Sequence, residues 1–148
     1  MVNVEQIIEM WKVDSQIDEM NLDEASRDSA NLHSKYLELL TVSKLQKKKL
    51  EMEFNTLLKD KWLWYNGKMS KQQMDDLGWD YDPLKGLRVM KGDMEKFYNS
   101  DDDIQKKKAR IDYQKILIDT LEEIIQNIRW RHTNIKNMIE WRKFVSGV

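Results

Sequence analysis

An all-α fold follows from three features of the chain. Its 148 residues include one proline and five glycines, against average usage of roughly 5% and 7%, so long uninterrupted helices are expected rather than a turn-rich β-sandwich or barrel. Gly67, Gly78, Gly86 and Gly92 fall between residues 67 and 92 together with the single proline, Pro83, and these strong local breakers place one main connection there. Long helical patterns flank it on both sides. The expected architecture is two long helices joined by a Gly-rich connection holding a short helix, with the C-terminal helix in an oligomeric helical assembly.

The elements follow in chain order. A small acidic helix is expected near residues 4–11. A seven-residue spacing then gives Leu22, Ser29, Tyr36, Ser43, Leu50, Leu57 and Trp64, with Ala25, Leu32 and Leu39 as a companion row that fails at Gln46 and resumes at Phe54. This heptad-like seam predicts a helix through 22–65 with a bend or change of partner near 43–50. Ser70 and Gln73 have capping-box spacing, with Met69 and Met74 placed as a hydrophobic staple, so a short helix is expected near 71–77, closed by Gly78. Trp79 to Leu84 reads as extended or turning. Ser100 is the expected N-cap of the last helix, about 101–145, with Asp101, Asp102 and Asp103 in a first turn that favours acids. In that helix Ile104, Ile111, Ile118, Ile125, His132 and Ile139 recur every seven residues, and Leu121, Ile128 and Ile135 form the second row, widened by Leu117, Ile124 and Met138. A stripe so rich in Ile favours assemblies larger than a two-stranded coil. Ile111, Ile118, Leu121, Ile125, Ile128, Ile135 and Ile139 are therefore the expected oligomerisation residues, on the reasoning that two long helices in so short a chain leave little else to cover them. The other reading is that this helix packs wholly within its own subunit.

Composition narrows the chemistry. Cysteine is absent, which removes disulfides, thiolate catalysis and Cys-based zinc sites. His33 and His132 are the only histidines. His132 sits on a core row and reads as a packed residue rather than a base, and His33 as a helix-surface or boundary residue. Gly67-Lys68 has Trp62 where a phosphate-binding loop needs its upstream glycine. Asp80, Asp82 and Asp101 to Asp103 lie in a connection and a helix cap, whereas a hard cation needs several converging oxygens. No catalytic residue, metal site or cofactor is expected. Charge-free stretches such as Trp62 to Gly67 are far shorter than the roughly 20 apolar residues of a membrane span. The opening Met-Val-Asn-Val-Glu-Gln lacks the pattern of a signal peptide, so a cytoplasmic setting is expected.

The formal charge of −1 conceals a strong order: residues 1–30 carry −6, 31–72 carry +5, 73–103 carry −5 and 104–148 carry +5. Such blocks tend to be interaction surfaces. The stretch from Lys44 to Lys68 stands out. It holds Lys47, Lys48, Lys49, Lys59, Lys61 and Lys68 with Trp62, Trp64 and Tyr65. Lysines give a salt-sensitive attraction to phosphates, and aromatic rings beside them stack with unpaired bases. The combination suits single-stranded DNA better than a duplex. Trp62 and Tyr65 share a face with Leu58, so one of them is open to a core role. A second basic run, Lys106 to Arg110, could extend the same surface.

The order Asp14-Ser15, Ile17-Asp18, Glu24-Ala25, Ser34-Lys35, a long basic helix and then Leu58-Lys59-Asp60-Lys61-Trp62-Leu63-Trp64-Tyr65-Asn66-Gly67 resembles the UvsY family of recombination mediators from T-even-like phages. The tail, with Ile135-Lys136 and Arg142-Lys143-Phe144 before Ser146-Gly147, resembles the end of that family too. The likeness covers roughly residues 12–67 and 100–147. It implies a non-enzymatic protein, in the host cell cytoplasm, that binds single-stranded DNA and forms a ring-like homo-oligomer of six or seven subunits through its C-terminal helix. It also implies help in loading a recombinase onto DNA covered by single-strand-binding protein. The family's short Lys-Ala-Arg-Leu DNA-binding run corresponds here to Lys59-Asp60-Lys61-Trp62, in which Lys replaces the planar, bidentate Arg and Asp60 intrudes. On this reading residues 1–100 are the DNA-binding part and 101–148 the oligomerisation helix. A coiled-coil scaffold without nucleic acid is the alternative from another class.

Overall fold

In a computed structural model, which describes residues 2–147, the chain forms five helices and, among those residues, no strand. They are α1 (Val4–Asp14), α2 (Leu22–Tyr65), α3 (Lys71–Leu77), α4 (Met94–Ser100) and α5 (Asp102–Val145). The helix bounds of α2 and α3 agree with the heptad and capping signals. The side chains of Asn3 and Gln6 close a capping box at the start of α1. Ser70 and Gln73 do the same for α3, which ends on Gly78 in the left-handed region at φ 69°; a side chain there would be strained.

Two compact units result. One joins the chain up to Gln46 with the stretch from Tyr113 onward; the other is Lys47–Asp112. The boundary in α2 lies within the span where the heptad changes phase. Both long helices contribute to both units, so the compact units do not follow a division at residue 100.

In the first unit α2 and α5 run antiparallel. Gln114 donates to the Ser43 carbonyl at 3.1 Å, and Leu22 and Ala25 pack on Ile135. The main core gathers Ile7 of α1, Tyr36 and Leu40 of α2, and Leu117, Ile118, Leu121, Ile124, Ile125 and Ile128 of α5. This corrects the expectation for the isoleucine stripe. Ile118, Leu121, Ile125, Ile128 and Ile135 are buried inside the subunit, Ile111 is half-buried, and of the seven only Ile139 is exposed. The physical reason is that α1 folds back onto the two long helices and, with α2, covers the stripe.

His132 is also exposed, against expectation. Its neighbour Arg131 is buried instead and donates to the carbonyls of Asp14, Ser15 and Gln16 at 3.4, 3.2 and 3.1 Å. These carbonyls follow the end of α1, where a helix leaves its acceptors unpaired and welcomes a cation. With Ile17, Leu22 and Ala25 against Ile135 and Met138, the covered face of α5 turns away from His132. A second polar knot lies nearby: Asp14 accepts from Lys35 at 2.6 Å and from the Tyr36 hydroxyl at 2.8 Å.

Candidate nucleic-acid interface

The second unit carries the basic and aromatic residues singled out above. In an α-helix, residues three and four apart share a face. Lys48, Met52, Asn55, Lys59 and Trp62 follow that spacing on α2, and all five are exposed. The stripe extends about 21 Å at 1.5 Å per residue. At its end Lys68 places its Nζ 4.7 Å from the centre of the Trp62 ring, and Trp62 as a residue is 40% exposed. A cation beside an open indole face is the pairing that a stacked base and its phosphate require.

Beside the stripe, the basic runs of α2 and α5 meet around one acid. Lys107 of α5 binds Glu53 of α2 at 3.0 Å. The Glu53 carboxyl is held below its ordinary range by that hydrogen bond first, and then by the nearby charges of Lys107, Lys49 and Arg110. Three cations around one carboxylate leave a positive excess. Lys47 is half-buried and pairs with Glu51 at 3.5 Å, while Lys48 and Lys49 are exposed.

Lys61 lies elsewhere. It is 2% exposed, with its Nζ 2.8 Å from Asp103 and 3.1 Å from Asp101, between the rings of Trp64 at 4.3 Å and Trp79 at 4.1 Å. Its ammonium is committed to two carboxylates and two indoles, which takes it out of the set available to phosphate. Two helix residues two places apart point to nearly opposite sides, and here Lys59 faces solvent while Lys61 faces in. Trp64 and Tyr65 are likewise packed. Trp64 donates its indole N–H to the Asp80 carbonyl at 2.6 Å, and Tyr65 donates its hydroxyl to Asp101 at 2.6 Å. Of the three aromatic candidates, Trp62 is exposed, while Trp64 and Tyr65 are half-buried.

Asp101 organises this knot. Its Oδ1 accepts from the backbone N–H of Ile104 at 3.0 Å, so Asp101 and not Ser100 caps α5. Ser100 instead ends α4, a helix the sequence reading did not foresee. The helix packs on α2 through Phe97 against Tyr65, with ring centres 5.6 Å apart, and through the Tyr98 hydroxyl on the Leu58 carbonyl at 3.3 Å. Burial alone would raise the Asp101 carboxyl, but hydrogen bonds from Tyr65, Ile104 and Lys61 outweigh it and hold the group below its ordinary range. Burial, and then the Asp101 hydrogen bond, push the Tyr65 hydroxyl upward. Sequence reasoning missed Trp79, Asp101 and Asp103 as partners of Lys61. A lone tryptophan in the connection was the available signal, because nothing local to residue 61 demands two acids from the start of α5.

Among the described residues no helix is long and apolar enough to cross a membrane. No curated protein matches the chain. Its fold is similar to that of the bacteriophage T4 recombination mediator protein UvsY in two crystal lattices. In one the TM-score is 0.84 at 23% identity, covering 99% of each chain. In the other it is 0.80 at 24% identity, covering 92% of this chain and 96% of that one. The family described as "Recombination, repair and ssDNA binding protein UvsY" matches residues 10–148. The isoleucine seam, the basic α2 and its packed partner α5 thus occur in a chain that belongs to the UvsY family of recombination, repair and single-stranded-DNA-binding proteins.

Proposed function

We propose that this chain is a recombination mediator that holds single-stranded DNA along the exposed face of α2 in the second unit and promotes loading of a recombinase onto a strand covered by single-strand-binding protein. The observation that carries the reading is the exposed Lys48–Met52–Asn55–Lys59–Trp62 stripe ending at the Trp62–Lys68 pair. Lys49, Lys107 and Arg110 broaden it. Lys47 lies at its edge, and Lys61, Trp64 and Tyr65 support it from beneath. The role is accessory and not catalytic.

Each subunit offers only a few phosphate contacts, which makes single-site binding weak and exchangeable. Self-association raises the avidity of such sites by about 10²–10⁴ without new contacts. The exposed end of α5 suits that purpose better than the buried isoleucines. Trp141 and Phe144 stack with ring centres 5.6 Å apart, at 66% and 74% exposure. We place the subunit contact there and retain the C-terminal part of α5 as the assembling element, in a particle of six or seven chains. In a strand-exchange assay with the cognate recombinase on DNA already coated by single-strand-binding protein, adding the full-length chain should shorten the lag. A lag unchanged by a chain that still binds the strand would reduce the role to DNA binding alone.

A further inference from the structure

A cavity of about 420 Å³ lies at the C-terminal end of α2, lined by Trp64, Tyr65, Tyr81, Pro83, Leu87 and Arg88 among others. Its volume falls in the range of sites for small organic ligands, roughly 300–1,000 Å³. Resting on the single-strand reading above, we propose that this cavity is a docking site for one nucleobase turned out of the bound strand.

The walls are aromatic and held in place before any ligand arrives. The Trp64 indole N–H is fixed on the Asp80 carbonyl at 2.6 Å, and the Tyr81 hydroxyl is fixed on the Asp75 carboxylate. Rings held in advance lower the ordering cost of packing a guest against their open edges. The acid in the lining, Asp82, is already used, because its carboxylate accepts from the Gly86 N–H at 3.0 Å. That bond closes a turn in which Lys85 and Gly86 have φ of 53° and 84°. Arg88 is left as the free charge of the lining. It is exposed and has no hydrogen-bond or ion-pair partner among the described residues, so it is available to a phosphate or a base edge. Asn66 and Gly67 also line the cavity and lead directly into Lys68. A strand held by Lys68, next in sequence to Gly67, would therefore have to pass around the end of α2 to reach the cavity within the same unit. Aromatic walls, one unspent cation and a lining that adjoins Lys68 in sequence fit a base with its phosphate better than an apolar peptide.

The test uses the full-length chain and a short oligonucleotide carrying 5-iodouracil, with an abasic strand of equal length for comparison. The intact strand should bind about five-fold or more tightly than the abasic one, as stacking on an aromatic ring provides. Photo-crosslinks should map to Trp64 or Tyr81. Tyr81→Ala combined with Arg88→Ala should abolish those crosslinks and shrink the base preference. Both residues are exposed or rim-placed, so a melting curve should show the fold intact. Crosslinks confined to Trp62, or a double variant with unchanged preference and yield, would overturn the nucleobase site while leaving strand binding in place. A cavity that serves a peptide would give that same result. No binding of either strand at low salt would instead sink the single-strand reading on which the site rests.

Discussion

Lys59 and Lys61 show how differently two like residues in one basic run are used. Lys61 faces two carboxylates in a buried setting, and breaking such a pair by removing one partner costs about 3–5 kcal/mol, because the remaining charge is stranded. Lys61→Ala is expected to lower the melting midpoint sharply, since the Asp101 side chain is itself only 3% exposed. Lys59→Ala removes an exposed side chain, loosely paired with Asp60 at 3.8 Å. It should stay within about 0.5 kcal/mol in stability and weaken single-strand binding. Paired melting and binding measurements decide the matter. A Lys61→Ala protein that melts normally but loses DNA would restore Lys61 as a phosphate contact. The sequence identified the cluster but not the division of roles within it. Helical geometry separates the two lysines onto opposite faces; which face is inward depends on Asp101 and Asp103, residues far along the chain.

At the scale of elements, the helix signals that are local in sequence were legible. Heptad rows located α2 and α5, and the Ser70–Gln73 box and Gly78 located α3. Signals that depend on distant partners were not. The periodicity of α5 correctly marked a buried face, yet it could not say that α1 and α2 of the same subunit cover it. α4 has no strong cap and depends on Phe97 and Tyr98 meeting α2, so the segment looked like part of the connection. Arg131 belongs to the same class. No pattern near residue 131 announces that three carbonyls at the end of α1 need a donor. Hydrogen bonds to charged groups contribute about 1.5–3 kcal/mol, so Arg131→Ala should destabilise the first unit by about that amount. Hydrogen exchange should speed up first in α1. Unchanged protection there would mean that α1 is held by its apolar contacts alone.

For the whole molecule, a net charge of −1 is compatible with a polyanion partner because the charges are segregated. The lysine stripe of α2 and the opening turns of α5 concentrate cations in one unit, while many of the acids there are spent internally. Asp101 and Asp103 neutralise Lys61, Asp82 closes a turn, and Asp75 holds Tyr81. The assembly proposed above then multiplies weak sites. Trp141→Ser with Phe144→Ser should yield smaller particles by light scattering without lowering the subunit's melting midpoint, because both rings are exposed. Full-size particles from that variant would move the contact to another surface.

Whether the exposed α2 stripe is where the strand lies can be read from fluorescence anisotropy on a labelled single-stranded oligonucleotide across a salt series. Each phosphate contact contributes about −0.7 to the slope of log affinity against log salt on a single strand. Replacing Lys48, Lys49 and Lys59 together by Ala should flatten the slope by about 2, cut affinity most at low salt and leave the helical content unchanged. A triple variant that binds with the original slope and affinity would contradict the placement of DNA on this face.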